Sequence, residues 1–102
     1  MGISVVLETE SGEELERVDD PSNLLRILLP TEDDTSFDHL RHIDWYGDTV
    51  FNRLQMEAFL AEWERLRGRA QTSEAGALHA RIKDLAERSK HEPHVYLKFY
   101  GD

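Results

Sequence analysis

Five histidines stand at positions 39, 42, 79, 91 and 94, and two groups of them have spacings that could do chemistry. His39, His42 and Asp44 make H-x-x-H-x-D, and His91 with His94 makes H-x-x-H. Neutral imidazoles with a carboxylate suit zinc or another borderline divalent ion. Strand geometry works against the first set, because side chains an odd number of residues apart point to opposite faces, so His39 diverges from His42. His42 and Asp44 do share a face, and His94 joins them if the closing strand pairs alongside. His42, Asp44 and His94 are therefore the metal-site alternative. The run "HEPH" is not the helical H-E-x-x-H motif, since a proline intervenes and its histidines are three apart.

The same His42 and Asp44 could act as a carboxylate-oriented base. No serine or cysteine nucleophile accompanies them: Ser36 falls in a polar loop expected to be mobile, and Ser73 reads as a helix cap. Asp34, Ser36 and Asp38 alternate as at the start of a calcium loop. The sixth position, where glycine is needed, is His39, and the twelfth, where Glu belongs, is Trp45. "GRAQTSEAG" has no lysine for a phosphate-binding loop. On this reading no catalytic residue is assigned, no cofactor is expected, and an enzyme is the less favoured class.

The elements that must position these side chains are mixed. Ile3, Val5 and Leu7 alternate with Ser4, Val6 and Glu8, the period of a half-buried strand, and Ser11-Gly12 turns the chain into a short charged strand around Leu15. So much charge suits a sheet edge. Asp20 is placed to cap a short helix bearing Leu24, Leu25, Leu28 and Leu29, with Pro21 in its first turn and Pro30 at its end. "TEDDTSFD" follows as an acidic loop. "HLRHIDWY" reads as a strand, and Gly47-Asp48 as a glycine-first hairpin turn setting Trp45 opposite Val50 and Asp44 opposite Phe51. Asn52 and Gln55 make a capping box, with Phe51 and Met56 as its hydrophobic staple. Met56, Phe59, Leu60, Trp63 and Leu66 keep a helical period, as do Leu78, Ile82, Leu85 and Ala86, and residues 53–89 read as one helix or two. Beyond Pro93, Val95, Leu97 and Phe99 alternate with His94, Tyr96, Lys98 and Tyr100 in a closing strand. The predicted order β-β-α-β-β-α-α-β describes a single α+β domain over residues 1–102, an antiparallel sheet of about five strands with helices packed on one face.

A chain of 102 residues suffices for one core and not two. No apolar run approaches the roughly 20 residues that cross a bilayer. "MGISVVLETE" lacks the basic start and cleavage site of a signal peptide. Without cysteine there is no disulfide framework. A cytoplasmic protein with no membrane partner is expected. The formal net charge of −9 is uneven: residues 1–38 hold eleven Asp and Glu against two Arg, whereas residues 39–102 hold ten acids and ten Lys or Arg. Lacking a basic footprint, the chain is not expected to bind nucleic acid directly.

An acidic third suits encounter with a basic protein. Glu10, Glu13, Glu14, Glu32, Asp33 and Asp34 are the candidate acidic contacts. Tyr96 and Tyr100, on the sheet face away from the helices, are the candidate anchors, and that open face could also pair two copies. The stretch "YGDTVFNRLQM" resembles segments of small bacterial proteins of no named family, and the resemblance implies no role for any residue. The leading expectation is a non-enzymatic binding module, of inhibitor or immunity type, docking on a basic partner. A small metal-dependent or His/Asp enzyme at His42 and Asp44 is the first alternative, and a homodimeric structural domain the second.

Overall fold

The computed structural model of the protein describes residues 2–101. The alternating N-terminal stretch forms β1 (Ser4–Thr9) and the charged one β2 (Glu14–Val18). Gly12 in the turn between them adopts φ 91°, a region open to glycine and strained for other residues. The closing stretch forms β4 (Val95–Tyr100), and a four-residue strand, β3 (Asp48–Phe51), completes an antiparallel sheet of order β2-β1-β4-β3. The last strand in sequence is thus central. Val5 lies opposite Phe99, Leu7 opposite Leu97, and Phe51 also opposite Leu97, so the odd-numbered side chains of three strands make one apolar surface.

Three helices cover that surface: α1 (Leu25–Leu28), α2 (Met56–Arg65) and α3 (Ser73–His91). Phe59, Trp63 and Leu66 from α2 and its C-terminal end join Leu78, Ile82 and Leu85 from α3 in the core. Phe51, Phe59 and Phe99 form an aromatic triangle with centroids 5.2 to 6.0 Å apart. Each such ring, fully buried, contributes roughly 1.5–3 kcal/mol relative to exposure. Trp63 also stacks on His79 at 4.9 Å, its Nε1 donating to the His79 carbonyl (3.0 Å) while His79 Nε2 donates to the Trp63 carbonyl (2.8 Å). This reciprocal pair fixes the imidazole tautomer and the offset of α2 against α3.

The capping box forms as the spacing predicts, with Asn52 accepting from Gln55 N and Gln55 accepting from Asn52 N. Asp20 accepts from the amides of Leu24 and Leu25, both at 2.8 Å, although the helix it starts is only one turn long. Residues 53–91 resolve into two helices separated by a 3-10 turn at Arg67–Arg69. The cap of the second is Thr72, which accepts from Ala75 N; Ser73, expected in that role, is the first helical residue.

The expected strand at 39–46 does not form, and the sheet has four strands where about five were expected. Phe37, Leu40 and Ile43 are all buried, and a spacing of three is the period of a 3-10 turn, which occupies Leu40–His42. The amides that would have needed a strand partner are taken by the Glu62 carboxylate, which accepts from His39 N and Leu40 N at 3.0 Å. Without that strand there is no Gly47-Asp48 hairpin. Val50 faces Lys98 instead of Trp45, and Phe51 faces Leu97 instead of Asp44. Gly47 has no positive φ. The glycine this corner requires is Gly101: a Cβ there would collide with the Trp45 carbonyl, and Gly101 N donates to the Gly47 carbonyl at 2.8 Å. No helix among the described residues is long and apolar enough to cross a membrane.

Candidate functional site

The sheet face away from the helices carries the even-numbered side chains of β1, β3 and β4, including Tyr96 and Tyr100, with Arg17 of β2, and it is carpeted by polar contacts. Glu8, only 7% exposed, accepts from the Tyr100 hydroxyl and pairs with Lys98 Nζ at 3.0 Å. Burial pushes the Glu8 carboxyl up, but the hydrogen bonds from Tyr100 and Lys98 and the ammonium charge outweigh it and hold the group below its ordinary range. Lys98 is held above its usual range by the Glu8 hydrogen bond, and the Tyr100 phenol is raised by burial and then by Glu8. Val6 is fully buried between its cross-strand neighbours Arg17 and Lys98, whose aliphatic stems cover it. Tyr100 is therefore committed within the fold, and Tyr96 is the half-buried aromatic beside it.

The six acidic candidates divide between the two ends of the sheet. Glu10, Glu13 and Glu14 lie at the β1–β2 turn, beside the start of β4, where Glu10 N donates to the His94 carbonyl. Glu32, Asp33 and Asp34 lie in the loop after Pro30. Glu32 and Asp33 line a cleft with Asp44, Trp45 and Tyr46, and that segment abuts Gly101 at the other end of β4. Six residues of strand, about 17–20 Å, separate the two groups.

Charge pairing differs sharply between them. At the turn, Glu10 pairs with His94 Nδ1 (2.6 Å), Glu14 with Arg17 (3.1 Å) and Glu16 with Arg88 (3.4 Å); among the described residues only Glu13 there has no ion pair. In the cleft, none of Glu32, Asp33 and Asp44 pairs with a cation among the described residues. The cleft's one strong base, Arg41, donates to the Glu32 carbonyl at 2.9 Å, and its buried Nε has no partner. Asp34 turns back onto Ser36 N and Oγ, and those bonds hold its carboxyl below the usual range.

The cleft encloses about 850 Å³ between residues 30–33 and 41–46. The loop that forms one wall is anchored at both flanks, around Ser36 and around Leu28 and Leu29. Arg65 donates to the Ser36 carbonyl (2.6 Å) and stacks over the buried Phe37 ring at 4.1 Å, while Arg69 reaches the Leu28 and Leu29 carbonyls. Its other wall is braced by Asp44 N donating to Thr49 Oγ1 and Tyr46 N donating to Asp44 Oδ1. The site thus presents unpaired carboxylates and two aromatic rings, Tyr46 being 84% exposed. Such a surface suits a cationic side chain, which carboxylates attract and ring faces hold.

His42 and Asp44 both line this cleft, with no hydrogen bond joining them, and His94 lies at the opposite end of β4 paired with Glu10. No three His, Cys, Asp or Glu side chains among the described residues are grouped to hold a metal ion. The better-oriented imidazole is His39, whose Nδ1 lies 2.7 Å from Glu62. It is not among the residues lining the cleft, and Glu62 spends its remaining lone pairs on the His39 and Leu40 amides, which makes it a structural carboxylate. Glu62 and His79 were missed in the sequence, though each sits on an apolar helical stripe, at Phe59-x-x-Glu62-Trp63 and His79-x-x-Ile82, and a polar residue in such a stripe flags a buried bond. Comparison with protein families, with curated proteins and with solved structures finds no match for this chain.

Proposed function

We propose that this protein is a small acidic binding module, of inhibitor or immunity type, and that its cleft receives a basic segment of a partner protein. The observation that carries the reading is the pairing contrast: at the turn Glu14 and Glu16 pair with Arg17 and Arg88 and Glu10 contacts the His94 imidazole, whereas Glu32, Asp33 and Asp44 line the cleft without an ion pair among the described residues. An unpaired carboxylate attracts an incoming Lys or Arg without first giving up a partner. Trp45 and Tyr46 supply area and ring faces for the same cation. A cytoplasmic setting belongs to this reading, and the chain has no cysteine whose oxidation state would matter.

The test is binding kinetics against an arginine-rich peptide and against a basic protein captured from the native host, each at several ionic strengths. Glu32→Gln, Asp33→Asn and Asp44→Asn together should slow association roughly tenfold or more and flatten its salt dependence. Neutralising Glu10, Glu13 and Glu14 should alter it much less. Equal effects from the two triple variants would refute the assignment to the cleft.

A further inference from the structure

Arg41 is at odds with its surroundings. It lines the cleft read above as a receptor for a cation, and it is itself a cation. Among the described residues it makes no ion pair, although Glu32, Asp33 and Asp44 line the same cleft. Its Nη1 donates to the Glu32 carbonyl, its Nη2 has no acceptor among the described residues, and its Nε is buried without one. A guanidinium stays charged in proteins, and a buried donor without an acceptor costs stability. The side chain also springs from a fixed point. Arg41 belongs to the 3-10 turn Leu40–His42, where Leu40 is buried with its amide held by Glu62, and its own amide donates to the Phe37 carbonyl at 3.2 Å. The fold thus holds a half-buried guanidinium at the cleft with donors to spare.

A cation beside carboxylates that it does not pair with suits a ligand carrying both signs. We infer that the cleft receives the carboxyl terminus of its basic partner: the terminal carboxylate accepts from Arg41, and the cationic side chains of the last residues meet Glu32, Asp33 and Asp44. A carboxylate on a guanidinium makes charge-assisted hydrogen bonds, the stronger class, and capture of a chain end is a recurring mode of peptide recognition. A chain end is favoured over an internal Asp or Glu because it sets a carboxylate beside the last side chain without removing a basic residue from the segment. The inference rests on the cleft as the partner's seat and adds which part of the partner enters it. Net charge alone predicts the opposite preference: the chain carries −9, so removing a peptide's terminal carboxylate should tighten binding. Arg41 reverses that order.

Isothermal titration calorimetry with N-acetylated tetra-arginine, as the free acid and as the C-terminal amide, tests it. The natural chain should bind the free acid about tenfold more tightly than the amide, or more, a difference of about 1.4 kcal/mol. In Arg41→Gln the order should invert, the amide binding better, as net charge dictates. Arg41→Lys keeps the charge and can still donate to the Glu32 carbonyl, so it serves if Arg41→Gln fails to fold. Its preference for the free acid should be smaller than the natural chain's, because an ammonium lacks the planar fork that matches a carboxylate. Equal affinity for acid and amide in the natural chain, or a preference untouched at Arg41, overturns the inference and leaves the cleft as a seat for cations. An amide with an internal aspartate that binds as tightly as the free acid overturns the assignment to a chain end. If neither peptide binds, the cleft reading fails and this inference with it.

Discussion

At the β1–β2 turn and in the cleft, carboxylates of the same kind do opposite things. Glu14 and Glu16 are paired with Arg17 and Arg88, each shared with a second carboxylate, and Glu10 contacts the His94 imidazole. Glu32, Asp33 and Asp44 face a cleft whose arginine donates to a backbone carbonyl. Net charge counts both groups alike. What a partner meets is the charge left over after folding, and that is set by which cations the topology brings near. The carboxylates inside the fold, Glu8 and Glu62, extend the contrast, since they act as structural hydrogen-bond acceptors.

If engaged and unengaged carboxylates differ as described, their removal should cost stability in a graded order. Glu62→Ala stands first. It strips the His39 and Leu40 amides of their acceptor, at about 1–3 kcal/mol for each donor left buried and unsatisfied. A chemical-denaturation midpoint unmoved by this change would mean that water or another group caps the 3-10 turn.

Glu8→Ala comes next, at about 1–3 kcal/mol, because Lys98 and Tyr100 lose a shared acceptor. Its pH dependence follows from the shifts. The Glu8 carboxyl is depressed in the fold, so its contribution is present above the ordinary carboxylate range and fades as pH falls below about 4. Lys98 and Tyr100 are raised, so theirs is complete below about pH 10 and is lost as pH climbs beyond it. Denaturation of the natural chain and of Glu8→Gln should therefore differ most near neutrality and converge toward pH 3; a constant gap would remove the linkage.

Surface pairs at the turn should matter less. Glu10→Gln and Glu14→Gln are each expected to cost about 0–1 kcal/mol, shrinking further at high salt. Smallest of all is Glu32→Gln with Asp33→Asn and Asp44→Asn, expected within about 0.5 kcal/mol of the natural chain by thermal unfolding. A loss as large as that of Glu8→Ala would show that the cleft carboxylates hold the fold together, and the contrast between the two ends would collapse.

Much of this architecture was legible in the residues. Val95, Leu97 and Phe99 announced a strand by alternation, and Asn52 with Gln55 announced a helix start by a local rule that needs no tertiary knowledge. Residues 39–46 misled because Leu40, Ile43 and Trp45 fit more than one period. Reading back to Phe37 gives 37, 40 and 43, a spacing of three that strand alternation does not produce. The Glu62 carboxylate that satisfies this turn is more than twenty residues away, and no local pattern reveals it. The cleft was only half legible. Its carboxylates were visible as composition, but their freedom from partners depends on where Arg17, Arg88 and His94 end up.

The central place of β4 bears on how the chain is made. β1 pairs with β4 through Ser4 and Tyr100, so during synthesis β1 emerges well before its inner neighbour exists. At roughly 5–20 residues per second that delay is on the order of ten seconds. During it Val5, Val6 and Leu7 have only β2 beside them, and the edge that β1 will offer to β4 stays open. The charged β2 closes one side of the nascent hairpin to stray pairing, and the side that awaits β4 is the exposed one. Folding to the finished sheet then closes at a sequence separation that favours slow, late consolidation over stepwise assembly during synthesis.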